Sequence, residues 1–391
     1  MSTATDSNTE NNTENNTENN SNQGKSILKQ SAEHRYADEL ARLIEYDAAE
    51  NNLKPIGWIL SPKAVRKFIL GDDALDISRK FYGDDALADR CIVTLLGKQG
   101  LMLVGEPGTA KSMLSELLSA AISGDSGLMV QGSAGTTEDH LKYSWNYALL
   151  LAEGANTKSL VPSPLYQAME QGKIVRLEEI TRCPPEIQDV LVSMMSEKTM
   201  MIPEFGDAGR LFAQAGFNII ATANLRDKGV HEMSSALKRR FNFETVHPIS
   251  DPAFEKSLIL KQLRTELGDL GAGISSEITI NEDVVDLLVT VFQELRQGQT
   301  QSGTNIKTPD AVMSSAEAFN VAYASALEGY YLGDKSLSAN AVAKQIIGVV
   351  LKDNPDDIKR IRFYMDNVAK ERAKKDKTWK AFYEEGKRFW Q

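Results

Sequence analysis

Apolar residues fall into two regimes along the chain. Between about Asp85 and Pro248, short apolar runs alternate with stretches in which apolar positions recur every three or four residues. Five runs read as strands: Leu101–Val104, Leu128–Gln131, Ile174–Leu177, Asn218–Ala221 and Glu244–Val246. A short run that is apolar throughout suits a strand covered on both faces. Between the runs, Leu114, Leu117, Leu118 and Ala121 share one helix face. Ile187, Val190, Leu191 and Met194 share another, behind a helix start at Pro184-Pro185. Strands alternating with helices predict an α/β fold: an open parallel sheet with helices on both sides.

The flanks read differently. Ala37, Leu40, Ala41 and Ile44 make one apolar face in a helical region from about Ser26 to Ala49. Leu53 to Asp73 reads as a short separate unit, anchored by Trp58, Leu60, Val65, Phe68 and Ile69 and closed by Gly71-Asp72-Asp73. From about Asp251 the strand signal fades. Val284, Leu287, Leu288 and Val291 define an amphipathic helix and Val312 to Leu327 a second, so a helical domain follows the sheet. The last stretch, Ala369 to Gln391, is Lys-rich and carries Trp379, Phe382, Tyr383, Phe389 and Trp390. A surface helix with its aromatics turned inward is favoured there over a docking or nucleic-acid segment. Residues 1–24 slip through repeats of Thr-Glu-Asn-Asn, with almost nothing to bury, and disorder is expected. The chain thus divides into a tail (1–24), an N-terminal helical region (25–84), a sheet core (85–248) and helices to the end (249–391).

Composition narrows the function. A chain of 391 residues, 42% hydrophobic, can bury one large core or two moderate ones. The net charge of -10 disfavours a broad nucleic-acid surface. Cys91 and Cys183 have neither metal-ligand spacing nor a disulfide framework around them. With no apolar run long enough to span a bilayer and no signal-peptide pattern at the N-terminus, a cytoplasmic protein without a membrane partner is expected.

Four motifs carry chemistry. Gly105-Glu106-Pro107-Gly108-Thr109-Ala110-Lys111-Ser112 follows a strand and opens a helix, the context a phosphate-binding loop requires. The glycines allow a tight wrap of backbone N–H groups around an anion. Lys111 can reach the β- and γ-phosphates of ATP, and the Ser112 hydroxyl can ligate Mg2+. Ala110 stands where Gly usually precedes the Lys, and ordinary helical dihedrals are expected of it. Next, Ile174 to Leu177 ends in Glu178 and Glu179: the first acid to hold Mg2+, directly or through water, the second to polarise the attacking water. Glu178 replaces the usual Asp. Asn224 ends the apolar strand that begins at Asn218 and can hold the lytic water or sense the γ-phosphate. Finally, Arg239 and Arg240 precede Phe241, and a guanidinium offered from a neighbouring subunit would neutralise charge on the γ-phosphate. Arg240 is the first choice for such a finger and Arg239 the alternate.

The loop Gly-Glu-Pro-Gly-Thr-Ala-Lys-Ser, the stretch Glu-Glu-Ile-Thr-Arg-Cys-Pro-Pro and the strand end Ala-Thr-Ala-Asn resemble the MoxR group of AAA+ ATPases, and its YehL-like branch most closely. The resemblance covers roughly residues 95–330. It implies an AAA+ P-loop NTPase core with a five-stranded parallel sheet and an α-helical lid, hydrolysing ATP with Mg2+. It further implies a ring, taken as a hexamer, that remodels a protein partner, often one bearing a von Willebrand A domain. Two insertions are implied: Gly132 to Gly154, with Tyr143, Trp145 and Tyr147, facing the ring pore, and a hairpin over Thr199 to Gln214. The group often carries a sensor Arg after Ser-Pro in the lid. The similar stretch here is Lys307-Thr308-Pro309-Asp310, so either Lys307 substitutes or that sensor is missing. A nucleic-acid motor and a nucleotide-gated scaffold with little turnover are the competing readings.

Overall fold

Among the described residues nine strands form in chain order: β1 (Gly100–Val104), β2 (Met129–Gln131), β3 (Tyr143–Trp145), β4 (Leu160–Pro162), β5 (Ile174–Glu178), β6 (Thr199–Met201), β7 (Arg210–Phe212), β8 (Asn218–Ala223) and β9 (Phe241–Thr245). They come from a computed structural model that describes residues 30–224, 229–270, 274–311, 313–350 and 354–389. The tail 1–24 and Trp390 lie outside the described residues. Five strands make one parallel sheet in the order β2-β5-β8-β1-β9, with Leu101 opposite Ile220 and Asn242. β1, β5 and β8 are buried along their whole length, as strands covered on both faces must be.

The last strand starts three residues before its expected place. β9 is an edge strand, and its polar Asn242 and Glu244 point to partners: Asn242 Nδ2 donates to Thr94 Oγ1 at 2.7 Å and Arg90 Nε to Glu244 at 2.9 Å. That alternation hid it from a search for apolar runs. Two antiparallel hairpins leave the sheet, β3/β4 and β6/β7. The first closes on Leu160–Pro162, beyond the expected limit at Gly154, because the helix Tyr147–Glu153 lies between its two strands.

The N-terminal residues do not form a separate unit. The helices Ala37–Ala49 and Pro62–Leu70 bury Leu40, Leu43, Val65, Phe68 and Ile69 in one core with Leu103, Leu114 and Leu117. Nine helical residues have too little apolar surface to stand alone, so they share the core of the sheet. After the sheet, the helices Glu282–Gln297, Ser315–Leu332, Ala339–Val350 and Lys377–Phe389 build a second core around Phe292, Ile346 and Tyr364. Phe382 is buried in it and Trp379 and Tyr383 pack against it, so these three C-terminal aromatics face inward. Among the described residues no helix is long and apolar enough to cross a membrane.

Candidate nucleotide site

β1, β5 and β8 run parallel, so their carboxyl ends open onto one side of the sheet, where ligands of such folds bind. β1 ends at Val104 and the chain wraps through Gly105–Ala110 before the helix Lys111–Ser123. Lys111 is buried, and its ammonium curls over the loop, donating to the Gly105 carbonyl at 3.0 Å and the Glu106 carbonyl at 2.7 Å. Thr109 Oγ1 closes the turn on the Glu106 carbonyl at 2.8 Å. Gly108 has φ +76°, and a Cβ there would lie 2.3 Å from Ser314 Oγ. Only glycine lets the helical domain approach the loop this closely.

Ala110 is not helical as expected: it sits at φ 67°, ψ 21°, in the left-handed region. The tight turn into the helix demands this, which explains why Gly is usual there. Left-handed backbone costs a non-glycine residue about 1–2 kcal/mol, and more for a β-branched one. Ala110→Val should therefore destabilise by roughly 1–3 kcal/mol, whereas Ala110→Gly should change stability by less than about 1 kcal/mol, strain relief being offset by unfolded-state entropy. Thermal unfolding checks this; equal melting of all three proteins would rule out the left-handed turn.

The acids that end β5 have different surroundings. Glu178 is buried, and its carboxylate accepts from Ser112 Oγ, Ser115 Oγ and Thr222 Oγ1, each at 2.7 Å, and from Arg176 Nη2 at 2.8 Å. Burial pushes its carboxyl up, but the Ser115 and Ser112 hydrogen bonds, the Arg176 charge and the Thr222 hydroxyl outweigh it and hold it below the ordinary carboxylate value. Arg176 is itself buried and spans to Ser115 Oγ at 3.0 Å and to the Ser126 carbonyl at 3.0 Å. Glu179 adopts φ 55° as the strand ends. Its carboxylate accepts from Asn224 Nδ2 at 2.7 Å and from Arg182 Nε at 3.2 Å. Glu179 and Asn224, expected on separate grounds, are thus joined.

Sequence reasoning missed Ser115, Arg176 and Thr222. Arg176 left a trace: a charge inside a strand that is otherwise apolar. Ser115 lies one turn after Ser112, on the helix face that the sheet covers. Thr222 had no signal beyond its place near a strand end.

A cavity of about 450 Å³ lies between the sheet core and the helical domain. The core supplies Lys111, Glu179 and Asn224 at one end, and Phe81, Ile249 and Leu258 line an apolar end. Both ends suit a nucleotide: cationic and N–H groups for phosphates, flat apolar walls for a base. The Ser112 hydroxyl and Glu178 carboxylate offer the hard oxygens that Mg2+ prefers, so the donor set fits that ion.

Residues 100–241 match the AAA domain of the dynein-related subfamily, and residues 254–389 match the YehL-like AAA+ ATPase C-terminal domain. The YehL protein of Escherichia coli (strain K12) is 48% identical over 363 residues, which is 93% of this chain and 98% of that one. The chain belongs to the YehL-like AAA+ ATPases. More distantly, the chaperone MoxR1 of Mycobacterium tuberculosis (strain ATCC 25618 / H37Rv) is 24% identical, covering 62% of this chain and 64% of its own length.

Within this YehL-like chain the two arginines ahead of β9 differ. Arg240 is tied to its own chain, donating to the Val192 carbonyl at 3.1 Å, Ser196 Oγ at 2.5 Å and the Ala236 carbonyl at 2.5 Å. Arg239 is exposed at the end of the short helix Ser235–Lys238. The lid stretch taken from the resemblance is displaced. Asp310 pairs with Arg360 at 2.6 Å and accepts from Asn354 at 2.9 Å, and Lys307 is exposed and does not line the cavity. Ser314 instead caps the helix that meets the phosphate loop, and Ala316 lines the cavity as that helix's second residue. Ser315 and Ala316 at the head of that helix therefore bring no cation to the cavity.

Proposed function

We propose that the protein hydrolyses ATP as a ring, taken as a hexamer, and uses the energy to remodel a protein partner. The observation that carries this reading is the convergence of Lys111, Glu179 and Asn224 on one cavity roofed by the helical domain. The loop from Gly105 to Ser112 wraps the phosphates, with Glu106, Pro107 and Thr109 shaping its turn and Lys111 as the countercharge. Ser112 and Glu178 would hold Mg2+, which neutralises charge between the phosphates when bound. Glu179 polarises the attacking water, and Asn224 orients Glu179 and senses the γ-phosphate. Arg240, or Arg239 as alternate, completes the site from the next subunit.

The two hairpins support a remodeller. Tyr143 donates to Glu204 at 2.8 Å and Trp145 packs edge-on against Phe205, so β3/β4 and the segment after β6 form one unit. Tyr147 and Leu151 beside it are exposed, a surface suited to gripping a polypeptide at the ring pore. A partner with a von Willebrand A domain and a cytoplasmic location complete the proposal. A nucleotide-gated scaffold is the second reading, favoured by the hold that Asn224 and Arg182 have on Glu179.

The decisive experiment measures ATP affinity and steady-state phosphate release for the parent and for Lys111→Ala. The parent should bind and turn over ATP. Loss of the buried ammonium should weaken ATP binding by about a hundredfold or more. Equal affinities would remove the phosphate-loop assignment, and tight binding without turnover in the assembled parent would favour the scaffold.

A further inference from the structure

The helices before residue 85 lie outside both matched family regions, yet Lys80 ties them to a segment that lines the nucleotide cavity. Lys80 is buried, its side chain only 2% exposed, and it forms an ion pair with Glu39 of the helix Ala37–Ala49. Its ammonium also donates to the Phe68 carbonyl at 3.0 Å and the Ser78 carbonyl at 2.9 Å, and it lies over the rings of Phe68 and Tyr36. Ser78 Oγ donates to the other Glu39 oxygen at 2.8 Å. A buried ammonium with this many partners is fixed in place, and removing its countercharge leaves it uncompensated.

Lys80 is followed by Phe81 and Tyr82, and both line the cavity. Along this irregular segment the side chains take turns. Lys80 faces the N-terminal helices, and Phe81 is buried against the core. Tyr82 meets the helical domain, its ring tilted against Phe254 with centroids 5.1 Å apart and its hydroxyl accepting from Lys261 Nζ at 3.2 Å. The N–H groups of Lys80 and Phe81 both donate to the Ile69 carbonyl at 3.1 Å, which ties the segment to the helix Pro62–Leu70. Just before the helix Ala37–Ala49, the short helix Ala32–Arg35 is anchored to the phosphate-loop helix by Arg35 with Glu116 at 2.6 Å and to the loop after that helix by Ser126 with Glu33 at 2.7 Å.

We propose that the N-terminal helices are a working part of the nucleotide site: the Glu39–Lys80 pair positions Phe81 and Tyr82, and so sets the affinity for the base of the nucleotide. Glu39 and Lys80 are positioning residues that act through the two aromatics. The inference rests on the ATP-binding reading above and adds to it a route from the N-terminal helices to the base.

Inorganic tripolyphosphate carries the phosphates of ATP without its base, so it separates the two ends of the cavity. In Glu39→Gln, ATP should bind about tenfold more weakly, while tripolyphosphate affinity stays within about twofold of the parent. A parallel loss of both ligands, or of neither, overturns the proposal. Lys111→Ala should lose both, and a parent that binds neither would sink the ATP reading itself, a different result. Should Glu39→Gln fail to fold, amide exchange on the parent decides. ATP, and not tripolyphosphate, should protect the amides of Lys80 and Phe81 together with those of residues 37–49. Protection that stops short of residues 37–49 overturns the proposal.

Discussion

Glu179→Gln should bind ATP about as tightly as the parent and release phosphate at least roughly a hundredfold more slowly, the usual scale for losing a positioned proton acceptor. The amide keeps the shape of the side chain, and its oxygen can still accept from Asn224 Nδ2, now 2.7 Å from the carboxylate. What it loses is the basicity that draws a proton from water. The substitution also weakens the attraction of Arg182, which lies 3.2 Å from the other oxygen. With turnover blocked and phosphates held, ATP-loaded subunits should accumulate and the assembled fraction rise in size measurements. Unchanged phosphate release would move the role to Glu178. Such a transfer would be surprising, because Glu178 already serves three hydroxyls and a guanidinium.

Arg240→Ala should leave ATP binding by each subunit nearly intact and lower hydrolysis by roughly a thousandfold, as expected for a cation that meets the γ-phosphate in the transition state. Within one chain Arg240 is held by the Val192 and Ala236 carbonyls and by Ser196 Oγ. To act across an interface it must exchange those neutral acceptors for phosphate charge, an exchange that favours the charged partner. Mixing gives the sharper result. An Arg240→Ala subunit has a sound loop and no finger; a Lys111→Ala subunit has a finger and no bound nucleotide. Neither alone should hydrolyse ATP, and mixed rings should regain part of the activity. If mixed assemblies form and stay inactive, Arg240 does not act in trans. Arg239, exposed on the same helix end, then faces the same test.

Much of this site was legible because its chemistry needs contiguous residues. The proposed phosphate loop lies within eight positions, and the strand before it and the helix after it are both legible in the order of residues around Gly105 to Ser112. The parallel sheet followed from fully apolar runs; its edge strand was misplaced because one side of an edge alternates with polar residues such as Asn242 and Glu244. What depended on distant pairs stayed hidden. Nothing in the order of residues joins Glu39 to Lys80, or Ser314 to Gly108. The backbone state of Ala110 was misjudged because residue type favours φ below zero, and the loop overrides that preference. Nor does the order of residues show that the helix meeting the phosphate loop begins at the Ser314–Glu317 cap and not at Pro309.

Ala316 at the head of the lid helix has a consequence for how the molecule distinguishes its nucleotides. The helical domain meets the cavity with Ile249, Leu258, Gln262, Glu266, Ser315, Ala316, Phe319 and Asn320, and among the described residues it brings no cation there. On the ATP-hydrolysing reading, this domain would then have no side-chain cation with which to attract the terminal phosphate. On the same reading, the domain would register whether the pocket is filled through shape and the close packing of Ser314 on Gly108. On the proposed mechanism, telling a triphosphate from a diphosphate would fall to Lys111 and Asn224 on the sheet side and to an arginine from outside the chain. News of hydrolysis would therefore travel sideways, from one subunit to its neighbour, rather than upward into the lid.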